Sequence, residues 1–202
     1  CLAKCKVGKF RNEDNLCTNC TAGRYGNVFN ADNKTHGCPH LCSAGKFGRK
    51  TGAINETDAC KNCSVGFYSD LLGQSYCKRC APGTYIDIVG STMCKNCSKY
   101  TYNALLGQSS ISSCIDCSAG MYNHHPGQSS CNDCEKGYYC VGNSSKVACP
   151  KGKYLNTTKG VSVNDCIDCA KGYYNDMIGQ VICKSCDAGK YLNTTGRSNI
   201  SD

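Results

Sequence analysis

Cysteine pairs separated by two residues recur along this whole chain, and no other feature limits its fold so tightly. Aligned on the second cysteine of each pair, the sequence falls into repeats starting at Cys5, Cys20, Cys42, Cys63, Cys80, Cys97, Cys117, Cys134, Cys149, Cys169 and Cys186. The repeats span 5–19, 20–41, 42–62, 63–79, 80–96, 97–116, 117–133, 134–148, 149–168, 169–185 and 186–202. The 134–148 repeat is irregular, and the last is incomplete until a following cysteine closes it. A fixed period of this kind marks an array in which each small element buries its surface against the next.

The commonest form is C-x-x-G-x-Y-x(4)-G-x(3)-C-x-x, as in CSVGFYSDLLGQSYCKRC from Cys63 and CAPGTYIDIVGSTMCKNC from Cys80. The third residue after the leading cysteine is glycine in ten of eleven repeats, Tyr100 being the exception. Two places later an aromatic stands in all eleven: Phe10, Tyr25, Phe47, Tyr68, Tyr85, Tyr102, Tyr122, Tyr139, Tyr154, Tyr174 and Tyr191. The tenth position is mostly Gly (Gly52, Gly73, Gly90, Gly107, Gly127, Gly179, Gly196) or Asn (Asn15, Asn30), and is displaced to Gly160 in the Cys149 repeat. Gly and Asn tolerate positive φ, so a turn belongs there. The slots predict a short strand carrying the aromatic, a turn, and a short returning strand. Such a hairpin is marginal alone; a disulfide across its open end, with the aromatic ring lying on that bridge, would hold it. The expected fold is small, disulfide-rich and β. It is a tandem array of short two-stranded hairpins forming an elongated rod, with little or no helix and with contacts only between neighbouring repeats.

Leu, Ile, Val and Phe make up 31 of 202 residues, about 15%, and there is no Trp. Such a chain cannot offset the entropy of ordering by burial alone. Its 22 cysteines supply covalent staples instead, as in secreted small-domain scaffolds. Connectivity does not follow from sequence alone, but the repeat favours closing each hairpin: 5–17, 20–38, 42–60, 63–77, 80–94, 97–114, 117–131, 149–166 and 169–183. In CEKGYYCVGNSSKVAC two solutions stand. Pairing Cys134 with Cys140 leaves Cys149 for its own hairpin, whereas pairing Cys134 with Cys149 sends Cys140 to Cys166; the first is preferred. Cys186 is then expected to bond to Cys1 of a next copy, in a tandem chain or a neighbouring subunit.

A reducing cytosol would leave these thiols open, so the chain is expected outside the cell or on its surface, delivered by the secretory pathway. Nine N-x-S/T sequons, where chance gives roughly three, point the same way. They lie at Asn33, Asn55, Asn143, Asn156, Asn193 and Asn199, and, less freely placed inside the links, at Asn19, Asn62 and Asn96. Covalent N-glycans are expected, and no other cofactor. No apolar run spans a bilayer, so no membrane contact is expected within this segment.

Zinc is the rival explanation of C-x-x-C pairs. The unbroken series, the C-x-x-x-C links from Cys1 to Cys5 and from Cys38 to Cys42, and the sequons argue against it. No βαβ pattern supports thioredoxin-like chemistry. The net charge of +8 is spread over single Lys and Arg residues, which excludes a nucleic-acid patch but would suit loose attraction to acidic polysaccharide. His36, His40, His124 and His125 include one adjacent pair, before Pro126–Gly127, read as an exposed loop tip. NEDN at 12–15 lacks a full calcium loop. No P-loop, G-x-S-x-G or HExxH occurs, and the chain is not expected to be an enzyme.

The string C-x-x-G-x-Y-x(4)-G-x(3)-C-x-x-C resembles the ephrin-receptor-like cysteine-rich repeat and, more distantly, tumour-necrosis-factor-receptor and EGF-like modules. Versions with GYYC, at 137–140, and with GQS, at 73–75, 107–109 and 127–129, are similar to long arrays on algal and protist surface proteins. The resemblance implies an extracellular disulfide-stapled β array and no particular ligand. Two functions follow as expectations. One is a glycosylated structural rod in a surface appendage, fibre or coat, whose partners are further copies end to end or a longer parent chain. The other is the ligand-binding or adhesive stalk of a receptor or surface antigen, its binding face on the deviant repeats from Cys97 and Cys134.

Overall fold

In the computed structural model, which describes residues 4–199, nearly every repeat is two residues of strand, a turn, and two residues of strand returning. Ten antiparallel two-stranded hairpins follow one another in tandem. Lys9–Arg11 pairs with Cys17–Asn19, Phe67–Tyr68 with Lys78–Arg79, and Tyr173–Tyr174 with Lys184–Ser185. The first strand carries the aromatic slot, and the second runs through the link between one closing cysteine and the next leading one. Strands this short hold few ladder bonds, so covalent closure keeps the pair together.

The disulfides are Cys5–Cys17, Cys20–Cys38, Cys42–Cys60, Cys63–Cys77 and Cys80–Cys94. They continue with Cys97–Cys114, Cys117–Cys131, Cys134–Cys140, Cys149–Cys166 and Cys169–Cys183. Of the two solutions for the irregular repeat, the structure has the one that leaves Cys149 to its own hairpin. Cys186 is the free cysteine among the described residues. The link from Cys186 to a Cys1 cannot be placed, because Cys1 lies outside the described residues.

Loop length decides where the little helix occurs. Disulfides with a separation of 14 enclose only a turn. Those with 17 or 18 also enclose one helical turn, Lys34–Gly37, Glu56–Ala59, Ile111–Ser113 or Val163–Asp165. Two of these begin on an asparagine whose Oδ1 accepts the N–H three residues on, from His36 to Asn33 at 2.9 Å and from Asp58 to Asn55 at 2.8 Å. At Val163–Asp165, Ser162 and Asp165 form a capping box.

Most successive repeats are joined by the same three backbone hydrogen bonds. From the Cys63 repeat to the next, Gly90 N–H donates to Cys63 C=O (2.8 Å), Gly66 N–H to Ile86 C=O (2.9 Å) and Ser69 N–H to Ser91 C=O (3.2 Å). From the Cys149 repeat the set recurs as Gly179 to Cys149, Gly152 to Asn175 and Leu155 to Gln180, at 2.9, 2.9 and 3.0 Å. Polar backbone at each hairpin's edge is thereby satisfied by the following hairpin.

The aromatics do not lie on their own disulfides. Tyr25 packs on Cys42 and Cys60 with Ala53 and Ala59, and Tyr139 on Cys149 and Cys166 with Leu155. Each ring thus covers the bridge of the following repeat, because a two-residue ribbon is too thin to bury a tyrosine against itself. Tyr122, on the Cys134–Cys140 bridge, is 7% exposed.

Nor do contacts stop at nearest neighbours. Gly45 has φ +82, and a Cβ built on it would fall 2.0 Å from the carbonyl oxygen of Gly90, in the turn two repeats further on. Glycine therefore holds this slot for two reasons, its left-handed backbone and the passing turn. Gly172 has nearly the same φ, +80, but nothing among the described residues lies within 4 Å of its Cβ position. Tyr100 occupies the slot at φ +69, and the repeat two places on from it is the irregular one from Cys134, whose turn runs through Gly142 and Asn143. In the Cys149 repeat, Lys159 takes the positive-φ turn position (φ +66) in place of Gly160. The residue count from the leading cysteine thus overrides the preference for glycine.

The chain divides into two compact halves. One runs to Asn96 and includes Leu105–Ser113, so the tip of the Cys97 hairpin packs with the repeats before it; the other holds Cys97–Ala104 and the chain from Cys114 onward.

Candidate interaction surface

The core is sulfur, small side chains and single rings distributed hairpin by hairpin, and it leaves the hairpin tips and outer strands as the functional surface. One hollow of about 320 Å³ is lined by Tyr154, Asn156, Ala170, Tyr173, Ile182 and Cys183. It holds no charged side chain to orient a ligand. Among the described residues, no three His, Cys, Asp or Glu side chains gather as a metal site, and no helix is long and apolar enough to cross a membrane.

The outer strands carry a repeated charged clasp. Asp70 faces Lys78 at 2.9 Å, and Asp87 faces Lys95 and Asp176 faces Lys184 at 2.6 Å. Each pair is eight residues apart and crosses a hairpin. Lys78 and Lys95 also lie 5.9 Å from the ring centres of Tyr68 and Tyr85. The lysine hydrogen bond is the main cause holding each of these carboxyls below its ordinary range, and the same bond raises the lysine.

The irregular repeat has its own cluster. Tyr122 Oη donates to Glu135 Oε1 and Lys146 Nζ bonds Glu135 Oε2, both at 2.6 Å, while Lys146 lies 4.6 Å from the Tyr138 ring centre. Lys146 and then Tyr122 hold the Glu135 carboxyl down, and the bond to Glu135 raises the Tyr122 phenol. Its charges are matched internally, so the cluster braces a repeat whose disulfide loop is only six residues.

The histidines are scattered. His36 pairs with Asp32 at 2.6 Å, His40 stacks on Tyr25, and His124 meets Tyr122 edge-on at 4.8 Å. The adjacent pair therefore divides: His124 is half-buried and only His125 is an exposed tip residue. At 12–15, Asn12 bonds Asp14 and caps Leu16 N–H, which makes a local turn.

All nine sequon asparagines are exposed. At Asn33 and Asn55, Oδ1 also accepts the hydroxyl of Thr35 (2.6 Å) or Thr57 (2.8 Å), so the capping uses Oδ1 and leaves Nδ2 outward. The link asparagines differ: a Cβ built on Gly52 would lie 3.3 Å from Asn19 Oδ1, and one on Gly90 would lie 3.4 Å from Asn62 Cγ. Their side chains lie against a neighbouring turn.

Buried polar residues at one slot, six places after the leading cysteine, escaped the repeat consensus: Ser69, Asn103, Asn123 and Asn175. Asn123 and Asn175 are fully buried, and each Nδ2 donates to the preceding repeat, to Thr101 C=O at 3.2 Å and Lys153 C=O at 3.0 Å. Their Oδ1 atoms have no hydrogen-bond partner. The Tyr-Asn dipeptide at 102–103, 122–123 and 174–175 is the signal that marks the asparagines.

A family model described as tyrosine-protein kinase ephrin type A/B receptor-like matches residues 55–97, 66–114 and 152–202, together more than half of the chain. No curated protein matches it significantly.

Proposed function

Because this chain belongs to the ephrin type A/B receptor-like family of cysteine-rich repeats, we propose that it is a structural length of an extracellular glycoprotein, part of a surface appendage, fibre or coat. Repeats of this family are receptor-like and non-catalytic in kind, and they and the ten disulfides indicate an extracellular setting. The observation carrying the structural reading is the sameness of the joints: one three-bond backbone pattern, with an aromatic on the next disulfide, is used from repeat to repeat. A load applied to one hairpin passes to the next through identical contacts. N-glycans at Asn33, Asn55, Asn143, Asn156, Asn193 and Asn199 shield exposed strand edges between copies or along a longer parent chain. The links at Asn19, Asn62 and Asn96 are the poorer acceptors, because the first two lie against turns.

The family's receptor character favours a second reading, the stalk of a cell-surface receptor or adhesive antigen. Electron microscopy of native material separates the two. Regular filaments or an ordered coat support the structural reading, and isolated stalks overturn it.

A further inference from the structure

Three consecutive hairpin tips carry aliphatic pairs: Leu71 and Leu72, Ile88 and Val89, Leu105 and Leu106. All six residues are 56–64% exposed and belong to one compact half. The backbone places these tips side by side. Gly73 N–H bonds Cys42 C=O, and Gly45, three residues on, receives the Gly90 turn. Gly90 N–H in turn bonds Cys63 C=O, and the Gly107 turn reaches Gly66. The three pairs therefore form one row. The hairpin itself does not require them, because the same two positions hold Glu13 and Asp14, Lys50 and Thr51, Thr157 and Thr158, or Thr194 and Thr195 in other repeats.

We propose that this row is a docking surface for the same row of a second copy of the chain. At that exposure six aliphatic residues present roughly 600 Å², the upper end for the largest patch on a typical monomer. Two such faces, wholly covered, bury at most about 1,200 Å², where stable interfaces begin. The tips repeat at constant spacing, so a two-fold axis sets each pair against a pair. Of the flanking charges, Asp70 and Asp87 are already paired with Lys78 and Lys95, and Arg79, over the Phe67 ring, stands beside the Gly107 turn at the end of the row. This gives the assembly proposed above a lateral contact, and it rests on that reading only for the identity of the partner.

The test is sedimentation velocity of the enzymatically deglycosylated chain, which removes any glycan at Asn62 beside the Gly90 turn, over about 1–100 μM. The comparison is with the triple variant Leu72→Thr, Val89→Thr, Leu106→Thr. Threonine already fills this position in three repeats, at Thr51, Thr158 and Thr195, so the fold tolerates it. The expected result is a concentration-dependent dimer whose dissociation constant rises at least tenfold in the variant. A wild-type chain that stays monomeric, or a variant that pairs equally well, overturns the proposal. So does binding to phosphatidylcholine vesicles that the variant loses while neither protein dimerises, which would assign the row to a lipid surface. Filaments in native material with no dimer in solution refute the row and leave the structural reading; dimers with no filaments do the reverse.

Discussion

Replacing Gly45 by alanine tests the contact between repeats two apart. Two costs add at this position. Holding an L-residue at φ +82 costs about 1–2 kcal/mol. The added methyl, 2.0 Å from the Gly90 oxygen, must also displace backbone, and overpacking of this kind costs about 1–3 kcal/mol. Gly172→Ala at φ +80 carries the first cost alone, since nothing among the described residues lies within 4 Å. Global melting is a poor measure in an array whose repeats open separately, so the assay is native-state hydrogen exchange. The reporters are Gly90 N–H, bonded to Cys63, in Gly45→Ala, and Gly196 N–H, bonded to Cys169, in Gly172→Ala. A difference of about 2 kcal/mol is roughly thirtyfold in exchange rate. Gly45→Ala should raise the rate at Gly90 by about that factor more than Gly172→Ala raises it at Gly196. Equal acceleration in both variants would refute the argument that the passing turn, and not φ alone, keeps glycine in this slot.

Asn55→Asp should leave the Glu56–Ala59 turn intact, because the carboxylate still accepts Asp58 N–H, while abolishing any glycan there; Asn55→Ala should lose about 1 kcal/mol as well, and peptide mapping with local exchange distinguishes the two. Removing Cys134–Cys140, with a separation of 6, should cost about 2 kcal/mol, against about 3 for Cys149–Cys166, with a separation of 17; native-state hydrogen exchange within each hairpin of the double-serine variants checks the order. The clasp carboxyls Asp70, Asp87 and Asp176 have lowered folded values, so their stabilisation is full above the unfolded value near 4 and fades as pH falls through the folded one. Their lysine partners have raised values, so the same clasps fade at the alkaline end as pH rises through the folded lysine value, above about 10.4. Exchange protection of these hairpins should be flat between about pH 5 and 9 after correction for intrinsic rates, and a transition inside that window would contradict the assignment.

How far the sequence alone could lead is clearest at the aromatic slot. Tyr25, Tyr122 and Tyr139 are marked for packing by recurring at one position, yet the bridge each covers belongs to the next repeat. Periodicity states that a ring is needed once per hairpin, but not which sulfur it meets. Lys159 teaches the same lesson about turns: composition favours Gly160, but the register of Lys159 N–H on Cys134 C=O decides. A Tyr-Asn dipeptide marks Asn123 and Asn175, but their burial was not legible from it, because a buried amide is set by the carbonyl it meets one repeat earlier.

The sequence by itself determined the hairpin, its cysteine spacing, most of its turn positions and its extracellular chemistry, because each is a local property of some seventeen residues. Only the tertiary structure decided how hairpins touch. It set the turn from two repeats onward against Gly45, and it placed Leu71–Leu72, Ile88–Val89 and Leu105–Leu106 in one row. The reason is geometric: Gly45 meets Gly90 across 45 positions, and the tips are set by bonds from Gly73 to Cys42 and from Gly90 to Cys63, all through backbone carbonyls, which every residue type shares, so no side-chain pattern records them.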